Sequence, residues 1–289
     1  MPEGDTVWRS CRQLQAALAG RVLTRSDFRV PRYATIDLTG RPVLEVVSRG
    51  KHQLIRIDGD VTVHTHLRMD GTWRIKPVAG TEGYPPRDHR VRLVLTNAEY
   101  QAVGYQLGVV EVLKTSREHQ AVGHLGPDLL GPDWDQAEAV RRLLAKPDRP
   151  IGEALLDQAN LAGIGNLYKS EVLFLRGISP WRPTGAAGDL GPLVELARKL
   201  LDANKERVSQ VTTGNPARGQ ETWVYGRSGR PCRRCRTPIK SDGYAGRGGA
   251  GPGGHSASRG TPPSPRWPGT PRAITKERVT FWCPACQPA

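Results

Sequence analysis

The sequence predicts an α+β chain in three parts: an N-terminal β-sandwich, a helical middle and a C-terminal zinc-ribbon hairpin. Three observations carry this expectation. Apolar residues alternate with polar ones in short runs up to about residue 125 and then recur at helical spacing. Two C-x-x-C pairs stand after residue 230. Of the net charge of +14, from 42 Lys and Arg against 28 Asp and Glu, +10 falls in residues 227–289, which hold 12 basic side chains against Asp242 and Glu277. An excess of that size and position points to a polyanion, most economically nucleic acid.

The 289 residues are enough for two or three cores. With 37% hydrophobic residues and no apolar run near the roughly 20 residues that cross a bilayer, a membrane-embedded protein is excluded. MPEGDTVWRS has acidic residues at positions 3 and 5 and no apolar stretch behind them, unlike a secretion signal, so a cytoplasmic protein is expected. Five cysteines in a reducing compartment read as metal ligands or bystanders rather than disulfides.

In order along the chain, a helix is predicted from Asp5 to about Leu18, ended by Gly20. Strand-like runs follow, among them VLEVVSRGKHQLIRID, VTVHTHL, GTWRI and VRLVLT. From about Asp133 to Asn204 the period becomes helical and predicts four or so packed helices, one ending near Asn160 and the next starting near Asn166. From about Thr213 the chain turns Gly-rich and basic. Residues 241–272, with 15 Gly or Pro in 32, are expected to form a disordered insertion.

Five motifs suggest chemistry, each with a plainer reading beside it. Cys232, Cys235, Cys283 and Cys286 can close four thiolates around one structural zinc ion, the Gly/Pro-rich spacer looping out. A redox C-x-x-C is the plainer reading, without the βαβ context it needs. Arg278 stands five residues before Cys283, where by itself a solvated surface arginine is the favoured reading. LLDQANLAGIGNLYKSEVLF places Gly163 and Gly165 before a helix start; free amides there suit a phosphate, with the Asn166 side chain as an added donor, but an ordinary helical hairpin fits as well. Met1 before the small Pro2 favours trimming to a secondary amine, with pKa near 8, able to attack a sugar C1′, with Glu3 an adjacent acid, though many chains start this way for no chemical reason. A turn at Ser48–His52 projects Lys51, and His66–Gly71 sets Arg68 beside Met69, a cation beside an apolar wedge of the kind that fills the hole left by an extruded base. Each of these two is otherwise a surface hairpin or a core methionine.

Taken together and in order, MPEG, RGK near residue 50, H-x-x-M-x-G from residue 66, LGPDLL at 125–130, LLDQ-x-x-LAGIGN at 155–166 and the double C-x-x-C resemble the formamidopyrimidine-DNA glycosylase/endonuclease VIII family over nearly the whole chain. The likeness is closer to the endonuclease VIII branch, because the D-P-R-R-F-G segment of the other branch is missing and Gln106-Leu107-Gly108-Val109-Val110 stands near its place. The resemblance implies an N-terminal catalytic β-sandwich (1–125), a helix-two-turn-helix DNA-binding domain (126–212) and a zinc-finger domain (213–289). It further implies a base-excision-repair glycosylase and lyase, monomeric and nucleoid-associated, acting on damaged double-stranded DNA. Such an enzyme extrudes an oxidised base, usually a pyrimidine, and nicks the backbone by β,δ-elimination. Pro2 is then the Schiff-base nucleophile, Glu3 the acid, Lys51 an aid at the phosphate and in elimination, and Arg68 and Met69 void-side contact and wedge. Asn166 is a phosphate ligand, and Arg278 grips phosphates flanking the lesion and is linked to δ-elimination.

The chain departs from the pattern in four places. Asp5-Thr6 stand where many members carry Pro-Glu, and His124 where the endonuclease VIII branch has an arginine near DNA. Leu67-Arg68-Met69 replaces the contiguous wedge, and the zinc segment carries the insertion. Two alternatives stay open: a purine glycosylase of the formamidopyrimidine/8-oxoguanine type, and a zinc-dependent DNA-binding protein without catalysis.

Overall fold

The computed structural model describes residues 2–78, 87–243 and 279–289. Helix α1 (Gly4–Leu18) starts one residue earlier than its sequence pattern indicates and buries Val7, Cys11, Leu14, Ala17 and Leu18 along one face. Gly20, at φ +73°, then turns the chain in a conformation that a side chain would strain.

Two antiparallel four-stranded sheets follow. With β1 (Arg25–Phe28), β2 (Val43–Arg49), β3 (His52–Ile57), β4 (Val61–His66), β5 (Thr72–Pro77), β6 (Val91–Thr96), β7 (Tyr100–Tyr105) and β8 (Val109–Lys114), one sheet has the order β1-β6-β7-β5 and the other β2-β3-β4-β8. Their inner faces meet as the alternation requires, with Val43, Ile55, Ile57, Val63, Leu93, Leu95 and Ala102 in one core that α1 also enters. The expected β-sandwich is present. Between β7 and β8 the chain turns at once, Gln106 taking φ +48° and Leu107 buried, so no long loop projects there.

The four helices are α3 (Gln136–Leu144), α4 (Ile151–Leu156), α5 (Asn166–Arg176) and α6 (Gly191–Asn204), preceded by the single turn α2 (His119–Val122). Their core gathers Leu143, Ile151, Leu155, Leu161, Ile164, Tyr168, Leu173, Val194 and Leu201. Contrary to the sequence expectation, α4 stops at Leu156 rather than near Asn160. Asp157 leaves helical geometry at ψ 106°, its carboxylate accepts the Ala159 amide at 3.1 Å, and Asn160 donates its side-chain amide to the Ala154 carbonyl at 3.0 Å. Asp and Asn bonding their own backbone outcompete the next helical turn.

In the C-terminal part, β9 (Lys240–Gly243) pairs antiparallel with β10 (Val279–Trp282). The expected insertion therefore begins later than residue 241, because residues 241–243 are strand; its remainder lies outside the described residues. Gln287 is buried, receiving the Cys283 amide and donating to the Ile178 carbonyl at 2.9 Å, which seats the chain end on the end of α5. No helix among the described residues is long and apolar enough to cross a membrane.

Candidate active site

The site forms where the start of α1 meets the start of α5. Glu3, fully buried, turns its carboxylate away from its own helix and accepts the backbone amides of Gly165 at 2.8 Å, Leu167 at 2.7 Å and, more weakly, Tyr168 at 3.5 Å. The amides expected to await a phosphate are thus occupied by an internal carboxylate, which the positive end of a helix suits equally well. Burial raises the Glu3 pKa, the charges of Lys51 and Asp5 pull it down and push it up respectively, and the amide bonds lower it; the net direction is up. The backbones are also in contact, the Gly4 amide donating to the Gly163 carbonyl at 2.9 Å. A Cβ on Gly165 would lie 2.5 Å from Glu3 Cδ, so glycine is the residue that lets the carboxylate reach the helix. Pro2, half-buried, immediately precedes this arrangement.

Asp5 makes a second bridge, receiving the Tyr168 hydroxyl at 2.8 Å and the Gln210 amide at 2.9 Å. Burial raises its pKa as well. Lys51 sits at the β2–β3 turn. Gly50, at φ +58°, donates its amide to the buried Asp128 carboxylate at 2.7 Å, and Arg49 bonds Asp133 at 2.8 Å and the Gly126 carbonyl at 3.1 Å. The turn is therefore fixed from below by residues 126–133, and Lys51 is within electrostatic reach of Glu3.

The other predicted residues fall as follows. Arg68, at φ +50°, is exposed and its backbone amide donates to His66 Nδ1 at 2.9 Å; Met69 is half-buried beside it. Both line a cleft of about 510 Å³ with Asp70, His89, Arg90 and Gln106. Leu67 belongs to the sandwich core, so it takes no part in a wedge. Asn166 does not offer a free amide. It is 1% exposed, donates to the Val279 carbonyl at 2.6 Å and accepts from Lys169 Nζ at 2.6 Å, tying α5 to β10. Arg278 lies outside the described residues.

Cys232, Cys235, Cys283 and Cys286 place their sulfurs within 4.8 Å of one another and could bind a metal ion. Neighbouring sulfur pairs measure 3.4, 3.5 and 3.9 Å, close to the roughly 3.8 Å expected of a tetrahedron with metal–sulfur bonds of about 2.3 Å. Cys11 is buried in the sandwich core and stands apart from them.

Sequence reasoning missed three groups. Lys169 is fully buried, donates to Asn166 and to the Thr280 hydroxyl at 2.7 Å, and burial lowers its pKa to about 7 against the pull of Glu3. Glu171, also buried, collects the amides of Trp223, Val224 and Tyr225 at 2.8 Å each. The third is a cluster of His52, His64, His66 and His124 beside Lys51. Both α5 residues lie in a helix whose apolar stripe masks them, and His52, His64 and His66 come together only through strand register, with His124 joining them from the segment after α2.

Residues 1–105 match the formamidopyrimidine-DNA glycosylase N-terminal domain, and residues 125–190 its H2TH domain. The chain is 52% identical over 290 residues to a probable endonuclease 8 2 of Streptomyces coelicolor, covering 99% of this chain and 94% of that protein. It is 46% identical to the DNA-(apurinic or apyrimidinic site) lyase Nei2 of Mycolicibacterium smegmatis over the full length of both. In fold it is similar to Lactococcus lactis formamidopyrimidine-DNA glycosylase bound to DNA with an AP site (TM-score 0.73, 22% identity, all of both chains) and to MutM with DNA containing carbocyclic 8-oxo-G (TM-score 0.74, 22% identity, all of both chains). With these matches spanning the α1–α5 junction and the sandwich, the chain belongs to the formamidopyrimidine-DNA glycosylase/endonuclease 8 family of DNA glycosylase and AP lyase enzymes.

Proposed function

We propose that this enzyme removes oxidised bases, pyrimidines by preference, from double-stranded DNA through a Schiff base on Pro2 and then nicks the strand by β,δ-elimination. The observation that carries the reading is the burial of Glu3 on the amides of α5, next to Pro2 and within reach of Lys51. Removal of Met1 frees the Pro2 amine, which attacks C1′ as the C1′–N bond to the base breaks. The Glu3 carboxyl, whose pKa burial raises, is the acid that gives a proton to the sugar oxygen, while Lys51 supplies a cation for the flanking phosphate. Arg68 and Met69 border the cleft and act as DNA contact and wedge. Asn166 serves phosphate binding indirectly, by fixing β10, which follows Arg278 in the chain, against α5.

The four thiolates hold one structural zinc, which keeps the β9–β10 hairpin folded. Supporting this, the cysteines are the one metal-competent cluster among the described residues, and their spacing fits tetrahedral thiolates.

Borohydride added to the Met1-trimmed protein on a duplex with an abasic site should yield a covalent adduct, which Pro2→Gly abolishes; a non-catalytic binder gives none. Parallel nicking of 5-hydroxyuracil and 8-oxoguanine duplexes tests the base preference. Equal or purine-favoured rates would overturn it.

A further inference from the structure

The outer face of the sheet β2-β3-β4-β8 carries a row of polar groups that the chemistry above leaves without a task. His52 stands opposite His66 across β3 and β4, and His64 opposite Glu111 across β4 and β8. Side-chain alternation puts all four on one face. His64 Nδ1 lies 3.0 Å from Glu111 Oε2, and His64 Nε2 lies 2.8 Å from His52 Nδ1. A carboxylate accepts, so His64 donates from Nδ1 and accepts at Nε2. His52 then donates from Nδ1 and keeps its lone pair on Nε2.

The row has two different ends. The Glu111 side chain is 45% exposed, whereas that of His64 is 5% exposed. At the other end, His52 directly follows Lys51, with the His66 ring 5.0 Å and the His124 ring 6.1 Å from its own. The charged and titratable groups around His52 are therefore Lys51 from the turn, His64 and His66 from β4 with Arg68 beyond it, Glu111 from β8, and His124 from the segment after α2. Burial foremost, then the neighbouring imidazoles and Lys51, hold His52 at about 3, so at neutral pH it remains the uncharged donor that the row requires. His66 is held at about 4 by burial, Lys51 and Arg68.

We infer that His52, His64 and Glu111 form a proton relay that carries the proton released in strand cleavage from the Lys51 end of the site to solvent. The inference rests on the lyase reading above. In β-elimination the C2′–H bond breaks, its electron pair forms the C2′=C3′ bond, and the C3′–O bond breaks, its pair leaving with the phosphate. As His52 Nε2 receives the released proton, its Nδ1 proton passes to His64 Nε2 and the Nδ1 proton of His64 to Glu111 in one concerted shift that leaves neither ring charged; the carboxyl then gives the proton to water. His64 and Glu111 act through His52 and are positioning residues.

Glu111→Gln tests this on an abasic duplex under single-turnover conditions, with nicking followed against pH and borohydride trapping run in parallel. A glutamine accepts the His64 hydrogen bond but takes up no proton. Nicking at pH 7 should fall about 10-fold or more, while the adduct, which forms before C2′ loses its proton, keeps its yield. The defect should shrink as pH rises and hydroxide substitutes, and Glu111→Asp should recover part of the rate. Adding Glu111→Gln to His52→Gln should slow nicking no further, because the two act as a unit. A pH profile unchanged by Glu111→Gln would overturn the relay, as would loss of the adduct in that variant with an unchanged melting temperature. Absence of an adduct in the wild-type protein would instead strike the Schiff-base reading.

Discussion

Glu3 has given up water, and burial raises its pKa even though the peptide amides it accepts pull the other way. Glutamine in its place has nearly the same volume, cannot act as an acid and leaves one oxygen instead of two to accept the backbone amides. Base excision should fall by on the order of 100-fold or more, the usual weight of a general acid. Nicking of a preformed abasic site, which has no base to expel, should suffer less; equal losses on both substrates would refute this division of labour. Asp5 offers a pH test. Its folded pKa is raised, so the stability tied to its proton is fully present below the ordinary 3.8 and is lost as pH climbs through the raised value. Asp5→Asn keeps an acceptor for Tyr168 and cannot ionise, so the stability that the wild type loses as pH rises from the ordinary 3.8 through the raised value should not be lost in the variant, as melting temperatures across that rise will show. A larger drop in the variant would contradict the sign.

At the scale of elements, the close approach of α1 to α5 depends on atoms that are absent. Gly165→Ala would set a methyl 2.5 Å from Glu3 Cδ, and the carboxylate, pinned by backbone, has nowhere to go. Excision should be lost while the metal content of the four-cysteine site stays at one equivalent. Loss of metal as well would mean that the helix itself had moved. Much here was legible in the sequence: α1 to within a residue, the period change into four helices, the β-sandwich and the thiolate spacing all follow from local pattern. MPEG and LAGIGN were visible as two motifs, but their being two sides of one contact was not, because nothing local in either records a partner across the chain. The end of α4 was misplaced because Asp157 and Asn160 prefer bonds to their own backbone, a choice that apolar periodicity does not register. Asn166 read as a free donor because its partner, the Val279 carbonyl, belongs to a strand far along the chain.

For the molecule as a whole, the +14 charge makes DNA affinity a matter of released counterions. Binding should weaken steeply and linearly in log–log terms as salt rises; a flat response would exclude phosphate contacts as its main source. A metal held by the four cysteines would couple to the same property. Chelation should release one equivalent and reduce DNA affinity, since β10 carries both the Val279 carbonyl that holds Asn166 and the chain leading into Cys283. Affinity indifferent to chelation would detach the hairpin from binding.

The carboxylate of residue three waits for amides 162 positions downstream. During synthesis, then, the amino end emerges first yet lacks the pocket that would arm it. A ribosome-bound fragment carrying only the sandwich should expel no base, and competence for excision should arrive late and abruptly, when the helical half docks.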